Sequence, residues 1–430
     1  MSTIPRQIIA AILLVGSAGL AVQPAVAADK KADAAKNAPK LSKPVQTALI
    51  AAQTLQQAGD LPGALAKIRE AEAVPNLTPT DNFTIAQFKL NVAIGLRKTE
   101  PQTPPPATPQ PLSPGNALLE EGLTGLVAAP EVSAADRQKY LNNLSILALQ
   151  RGDYATATKR SEELIALTPN DPDAIDNLAI LYQRQKQIPK AVETLNRAIA
   201  AQKAAGKPVD QVWYLRVLGM AYDAKLADQT QAASVALVTA YPEAKNWRDV
   251  LHILQSSQKF DDQGNLDLLR LMSATGALTG EKDFFEYAET ASIRGLPGEA
   301  KTALTAGKAA GALNSSKNYV VDLQKSVDAK VGADRASLPA LDREARAAAT
   351  GKSALGTADA YFGYGDYAKA ADLYRTALAK GGVDADTANL RLGASLARSG
   401  DKAGAATAFA NVHGVRARIA QYWTIWMARA

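Results

Sequence analysis

The chain has 430 residues, 48 basic and 42 acidic side chains, and a formal net charge of +6. It has no cysteine, which excludes disulfides, thiol chemistry, cysteine-based metal sites and an acylated N-terminal cysteine together. So small a net charge on so long a chain, with the two signs interspersed, fits no nucleic-acid partner.

The chain opens with a single charge, Arg6, then an apolar run from Ile8 to Val22, then Pro24 and the small residues Ala25, Val26 and Ala27. That order predicts a signal peptide over residues 1–27, cleaved after Ala27. A spanning helix needs about 20 apolar residues. This run is shorter, and Gly16, Ser17 and Gly19 interrupt it. The expected mature protein is periplasmic or secreted and has no transmembrane segment. Residues 28–44 are Ala, Lys and Asp with almost nothing to bury, and predict a flexible N-terminal segment.

Residues 45–98 return to apolar spacings of three and four, which predicts helical hairpins. The prolines of 99–115 remove donors and forbid helix, giving a Pro-rich linker. Residues 116–320 form a central array of short amphipathic helices. One stripe is Tyr140, Leu141, Leu144, Leu147 and Ala148; another is Ala191, Val192, Leu195, Ala198 and Ile199. Residues 321–352 are charged and Ala-rich, and predict a helical connector. Residues 353–430 hold two further hairpins and a last helix with Ile419, Tyr422, Trp423 and Trp426 on one face. That helix is expected to cap the array, since a repeat stack must cover its last apolar face. Attachment of the same face to a membrane surface is the rival reading.

One phrase punctuates the chain. Gly-Asp-x-x-x-Ala occurs at Gly59–Ala64, Gly152–Ala157, Gly365–Ala370 and Gly400–Ala405. Glycine ends one helix in the left-handed conformation, and aspartate accepts from the free N–H groups of the next. The closing alanine lets two helices approach. Spacing supports a repeat: Leu144 and Leu178 are 34 residues apart, as are Ala157 and Ala191. Near the C-terminus, Tyr374 and Phe409 are 35 apart.

A period near 34 with helix–turn–helix content resembles the tetratricopeptide repeat. The segment around Leu178, Ala179, Tyr182, Ala191, Leu195 and Ala198 carries the resemblance most fully, and Pro169 and Pro242 match the proline that closes a repeat. Leu218, Gly219 and Tyr222 match a further unit, although Gln231 stands where a small residue is expected. The resemblance implies an all-α fold, a right-handed α-solenoid of stacked hairpins. It also implies a concave groove, lined by the first helix of each pair, that binds a protein or peptide.

Outward positions along that groove are Lys139, Asn142, Asn143 and Ile146; Asp173, Asp176, Asn177, Gln183 and Arg184; and Trp213, Arg216, Met220 and Asp223. Asn143 and Asn177 fall at matching places, where the resemblance implies a hold on a ligand backbone. No catalytic constellation, metal site or cofactor motif is found; the two histidines, His252 and His413, are far apart in sequence. The expected function is a non-catalytic scaffold for an envelope complex. The alternatives are a self-assembling structural solenoid and, less favoured, a polysaccharide- or peptidoglycan-acting enzyme on a helical-repeat scaffold.

Overall fold

The computed structural model of the protein describes residues 40–98 and 111–429. The expected signal peptide, with most of the segments at 28–44 and 99–115, lies outside the described residues. Within them there are 20 α-helices and no strand. None of these helices is long and apolar enough to cross a membrane. The chain divides into two compact units, Met1–Val209 and Asp210–Ala430. The division falls inside the stretch 116–320 expected as one array.

The first unit holds α1 (Lys43–Gln57), α2 (Leu61–Glu72), α3 (Pro79–Arg97), α4 (Pro114–Ala128), α5 (Ala134–Gln150), α6 (Tyr154–Leu167), α7 (Pro172–Arg184) and α8 (Ile188–Ala204). They pair in order as hairpins, α1 with α2 through α7 with α8, and each pair packs on the next. A continuous core of leucine and isoleucine, including Leu49, Ile68, Ile85, Leu123 and Leu144, runs through α1 to α5. Each such side chain stabilises by about 1.5–3 kcal/mol when fully buried. Pro114 and Gly115, placed in the linker by the sequence, form the first turn of α4 behind Ser113, whose hydroxyl accepts from the Asn116 N–H. Proline suits that position because its missing N–H would be unpaired there anyway.

Order at Ser42 has a specific cause. The buried carboxylate of Asp81 accepts from the Ser42 N–H at 2.9 Å and from the Thr78 N–H at 3.0 Å. It thereby closes a capping box at the start of α3 and ties the entry of α1 to it.

The second unit holds α9 (Gln211–Asp223), α10 (Ala227–Ala240), α11 (Ala244–Ser257), α12 (Asp262–Ala274), α13 (Glu281–Ile293), α14 (Pro297–Ala309), α15 (Asn318–Ala347), α16 (Lys352–Gly363), α17 (Tyr367–Lys380), α18 (Ala385–Ser399), α19 (Lys402–Ala410) and α20 (Ala417–Met427). The 30-residue α15 occupies most of the expected connector. It touches its neighbours through a thin seam of Val320, Val327, Leu338 and Ala345.

The repeated corner is built as its residues suggest. Gly59, Gly152, Gly365 and Gly400 all have φ between 78° and 89°. The aspartate N–H after each glycine returns at 2.9 Å to the carbonyl five residues back, from Asp60 to Leu55, Asp153 to Ala148, Asp366 to Tyr361 and Asp401 to Leu396. This is the Schellman closure of a helix end. Asp60, Asp153 and Asp401 then accept from the N–H three residues on, at 2.8, 2.9 and 2.8 Å; Asp366 makes no such bond. The four closing alanines are fully buried. Two other corners make the same turn without glycine, on Lys186 at φ 59° and Lys225 at φ 57°.

Candidate binding faces

The hairpin of α5 and α6 stacks on that of α7 and α8 through polar as well as apolar contacts. The Tyr182 hydroxyl donates to Glu162 at 2.6 Å, and the Gln185 amide donates to the Thr158 hydroxyl at 2.6 Å. Within the first hairpin, Ser145 and Ser161 share a buried hydrogen bond of 2.8 Å. The core sides of the two first helices are Leu141, Leu144, Ser145, Leu147 and Ala148 on α5, and Ala174, Ile175, Leu178, Ala179, Leu181 and Tyr182 on α7.

Seven of the expected groove residues stand off that core on these two helices. Lys139 is exposed and pairs with Asp136 at 3.0 Å. Asn142, Asn143 and Asp176 are half-buried, and Asn177, Gln183 and Arg184 are exposed. Trp213 and Arg216 belong to α9 of the second unit, and both are half-buried there.

In α9 the core phase differs from the sequence expectation. Leu218 is buried with Tyr214, Val217 and Ala221, but Gly219 and Tyr222 are exposed. The repeat frame runs one residue earlier. Thr230, not Gln231, is the buried residue in the close-packing position of α10. The outward stripe of α9 is consequently apolar: Val212, Leu215 and Tyr222 are 50%, 37% and 48% exposed.

Sequence reasoning missed the charged centre of the second unit. On α12, Arg270 forks onto Glu299 with two bonds of 2.7 Å and reaches Asp359 at 3.2 Å. The Phe362 ring lies against its guanidinium, 4.5 Å from the centroid. Arg391 of α18 bonds Asp267 at 2.8 Å, Asp359 at 2.7 Å and the Gln263 amide oxygen at 2.7 Å. Tyr287 and Tyr374 donate to Glu299 and Asp359 at 2.7 and 2.6 Å. The side chains of Arg270, Glu299, Asp267 and Arg391 are at most 3% exposed. The signal was present in "LDLLRL", where Asp267 and Arg270 fall one helical turn apart inside an otherwise apolar helix.

The electrostatics at Asp359 oppose acid–base work by that carboxyl. Burial pushes the Asp359 carboxyl up, but the Arg391 and Arg270 charges and the Tyr374 hydroxyl outweigh it and hold it below the usual carboxylate range. A general acid near neutral pH needs the reverse shift. Burial, then the neighbouring carboxylate of Glu299, raises the Tyr287 hydroxyl well above its ordinary value. Arg270 and Arg391 thereby tie Glu299, Asp267 and Asp359 into one network.

Each unit also has a cleft of about 570 Å³. The one in the first unit lies among Leu77, Phe83, Ile85, Ala128 and Pro130. At its wall the Lys89 ammonium sits between Glu72 and Glu121, while Arg69 forks onto Glu121 at 2.7 and 2.9 Å. The Arg69 bonds, with help from Lys89, hold the Glu121 carboxyl down to about 2. The cleft in the second unit opens between α15 and α16, above Asp359 and Arg391. His252 of α11 lies 3.5 Å from Asp283 of α13, and His413, which follows α19, lies beside Asp386 of α18. The structure does not bring the two histidines together.

Residues 148–207, covering the α6 to α8 region, match the family described as tetratricopeptide repeat. No curated protein matches the chain. Among solved structures, a tetratricopeptide repeat protein from Parabacteroides merdae is 11% identical over 83% of this chain and 100% of its own, with a TM-score of 0.25. The Naa15/Naa10 complex bound to HypK-THB is 15% identical over 87% of this chain and 58% of its own, with a TM-score of 0.28. The tetratricopeptide domain of P58(IPK) is 13% identical over 83% of this chain and 98% of its own, with a TM-score of 0.23.

Proposed function

We propose that this chain, whose residues 148–207 match the tetratricopeptide-repeat family, binds a protein partner on the outward face of α5 and α7. The carrying observation is the pair Asn143 and Asn177. They lie 34 residues apart, on consecutive first helices, and both stand off the buried side. Two amides at repeat spacing can each donate to and accept from an extended backbone. Lys139, Asn142, Asp176, Gln183 and Arg184 surround them and supply both signs of charge.

The proposed setting is the cell envelope, where the protein is exported by residues 1–27 and scaffolds a complex without catalysing a reaction. Its support is the leader's order of charge, apolar run and small residues. Pull-down from envelope extract, comparing the wild-type chain with N143A/N177A, tests the face. Partners recovered by the wild type and lost by the variant are expected; equal recovery overturns the assignment. Mass analysis of the secreted or periplasmic chain tests the setting, with Ala28 expected as its first residue.

A further inference from the structure

The last helix does more than cover the end of the stack. α20 packs against its sequence neighbours α18 and α19, and also against α10 and α12, far earlier in the chain. Its Ile419, Tyr422 and Trp423 are 0%, 0% and 1% exposed. Tyr422 meets the Trp247 ring of α11 edge-on at 6.0 Å, and Trp423 stacks on Phe409 of α19 at 6.5 Å. The apolar face expected either to cap or to meet a membrane is thus seated in a cradle made by four other helices and Trp247.

The seat is fastened by polar groups. Arg416, one residue ahead of α20, enters a ring of three carboxylates: Asp261 at 3.0 Å, Asp267 at 3.5 Å and Asp384 at 3.9 Å. Gln421 bonds Gln231 at 3.1 Å, and Arg429 donates to the Thr239 carbonyl. These contacts are longer than the shortest guanidinium–carboxylate bonds of the network beneath, which are 2.7–2.8 Å. Arg416 Nε is buried and faces the Asp267 carboxylate without reaching hydrogen-bond geometry. This seam therefore opens more readily than the fully paired centre of the same unit.

We propose that the cradle of α20 is a helix-binding groove that the chain closes with its own C-terminal helix. The partner it fits is an amphipathic helix with an arginine about two turns ahead of an aromatic pair, because that is the pattern seated there. The aromatic residues fill the apolar floor, and the arginine enters the ring of Asp261, Asp267 and Asp384. The groove is separate from the face of α5 and α7 and does not depend on it.

Hydrogen exchange on the full chain tests the release. Amides of 417–427 are expected to exchange about 10-fold faster than those of α18, and about 10-fold faster again in Arg416→Gln, with α18 unchanged. A labelled peptide of residues 411–429 is the probe for the groove. It is expected to bind Arg416→Gln about 10-fold more tightly than wild type, because the resident helix is then easier to displace. The same peptide with Trp423→Ala is expected to bind neither chain. If Arg416→Gln does not fold, Gln421→Ala removes only the exposed bond to Gln231, and a smaller shift in the same direction is expected. Exchange of α20 and α18 as one cooperative unit in every chain, or a peptide that binds none of them, overturns the proposal.

Discussion

Asp359 divides its two carboxylate oxygens between two arginines, taking Arg270 at 3.2 Å on one and Arg391 at 2.7 Å on the other. One side chain of α16 thereby joins α12 to α18. The Arg391 end of the same network also reaches Asp267 on α12. This arrangement locks helices that are distant in sequence, and its cost of breaking follows from burial.

Arg391→Ala removes one cation and leaves Asp267 and Asp359 short of a partner in the interior. Breaking a buried pair from one side costs about 3–5 kcal/mol. The expected outcome is a lower urea midpoint for the second unit's transition, with the probe placed on Trp423. Arg391→Met, which strands the same acids, should cost nearly as much. An effect near zero would mean that the acids find other partners.

Lys186 and Lys225 occupy left-handed corner positions that their repeats elsewhere give to glycine. A side chain there is unfavourable by about 1 kcal/mol. Lys186→Gly and Lys225→Gly should each raise stability by about that amount. Additive shifts in thermal midpoint are expected for the double variant, since the two corners lie in different units.

Glycines at 351 and 356 should respond with opposite signs. A Cβ at Gly351 would stand 2.2 Å from the Ala377 carbonyl oxygen, which is backbone and cannot swing aside. Gly351→Ala should cost about 1–3 kcal/mol by forcing α17 away. At Gly356, inside α16, a Cβ meets nothing within 4 Å. Gly356→Ala should gain about 0.5–1 kcal/mol from backbone entropy. Thermal unfolding of the two variants side by side checks both signs.

Glu121 gives a pH dependence with a definite direction. Its folded value is depressed from 4.5 to about 2, first by the Arg69 hydrogen bonds. The stabilising contribution is therefore complete above pH 4.5 and is lost as pH falls from there toward about 2. The Asp81 carboxyl acts in the same sense: burial raises it, but its backbone bonds from Thr78 and Ser42 prevail and lower it. Urea midpoints from pH 6 to pH 2.5 should fall less steeply in Glu121→Gln than in wild type.

Local features were the legible part of this chain. Glycine and aspartate at Gly152–Asp153 specify a helix end and a helix start by short-range chemistry alone, and the four copies behaved alike in the backbone. Long-range features were not legible. The frame of α9 slipped by one residue because Leu218 fits the core in either frame, and only packing against Thr230 decides between them. The Asp267–Arg391 pair spans 124 residues, and no local spacing rule connects its members. The sequence expectation for α20 found its apolar face but not the distant helices that receive it. The positions of Asn143 and Asn177 off the core side were legible because repeat period and helix phase are both short-range properties.

The corner geometry carries a consequence for the order in which the protein assembles. Each Gly-Asp turn is completed by atoms within a few residues, and the core of the first unit by hairpins adjacent in the chain, so that unit can settle once its own hairpins have been synthesised. Asp267 must instead wait for Arg391, and the cradle around Trp423 must wait for the very end of translation. Truncated chains released early should therefore hold a settled first half beside an unfinished second.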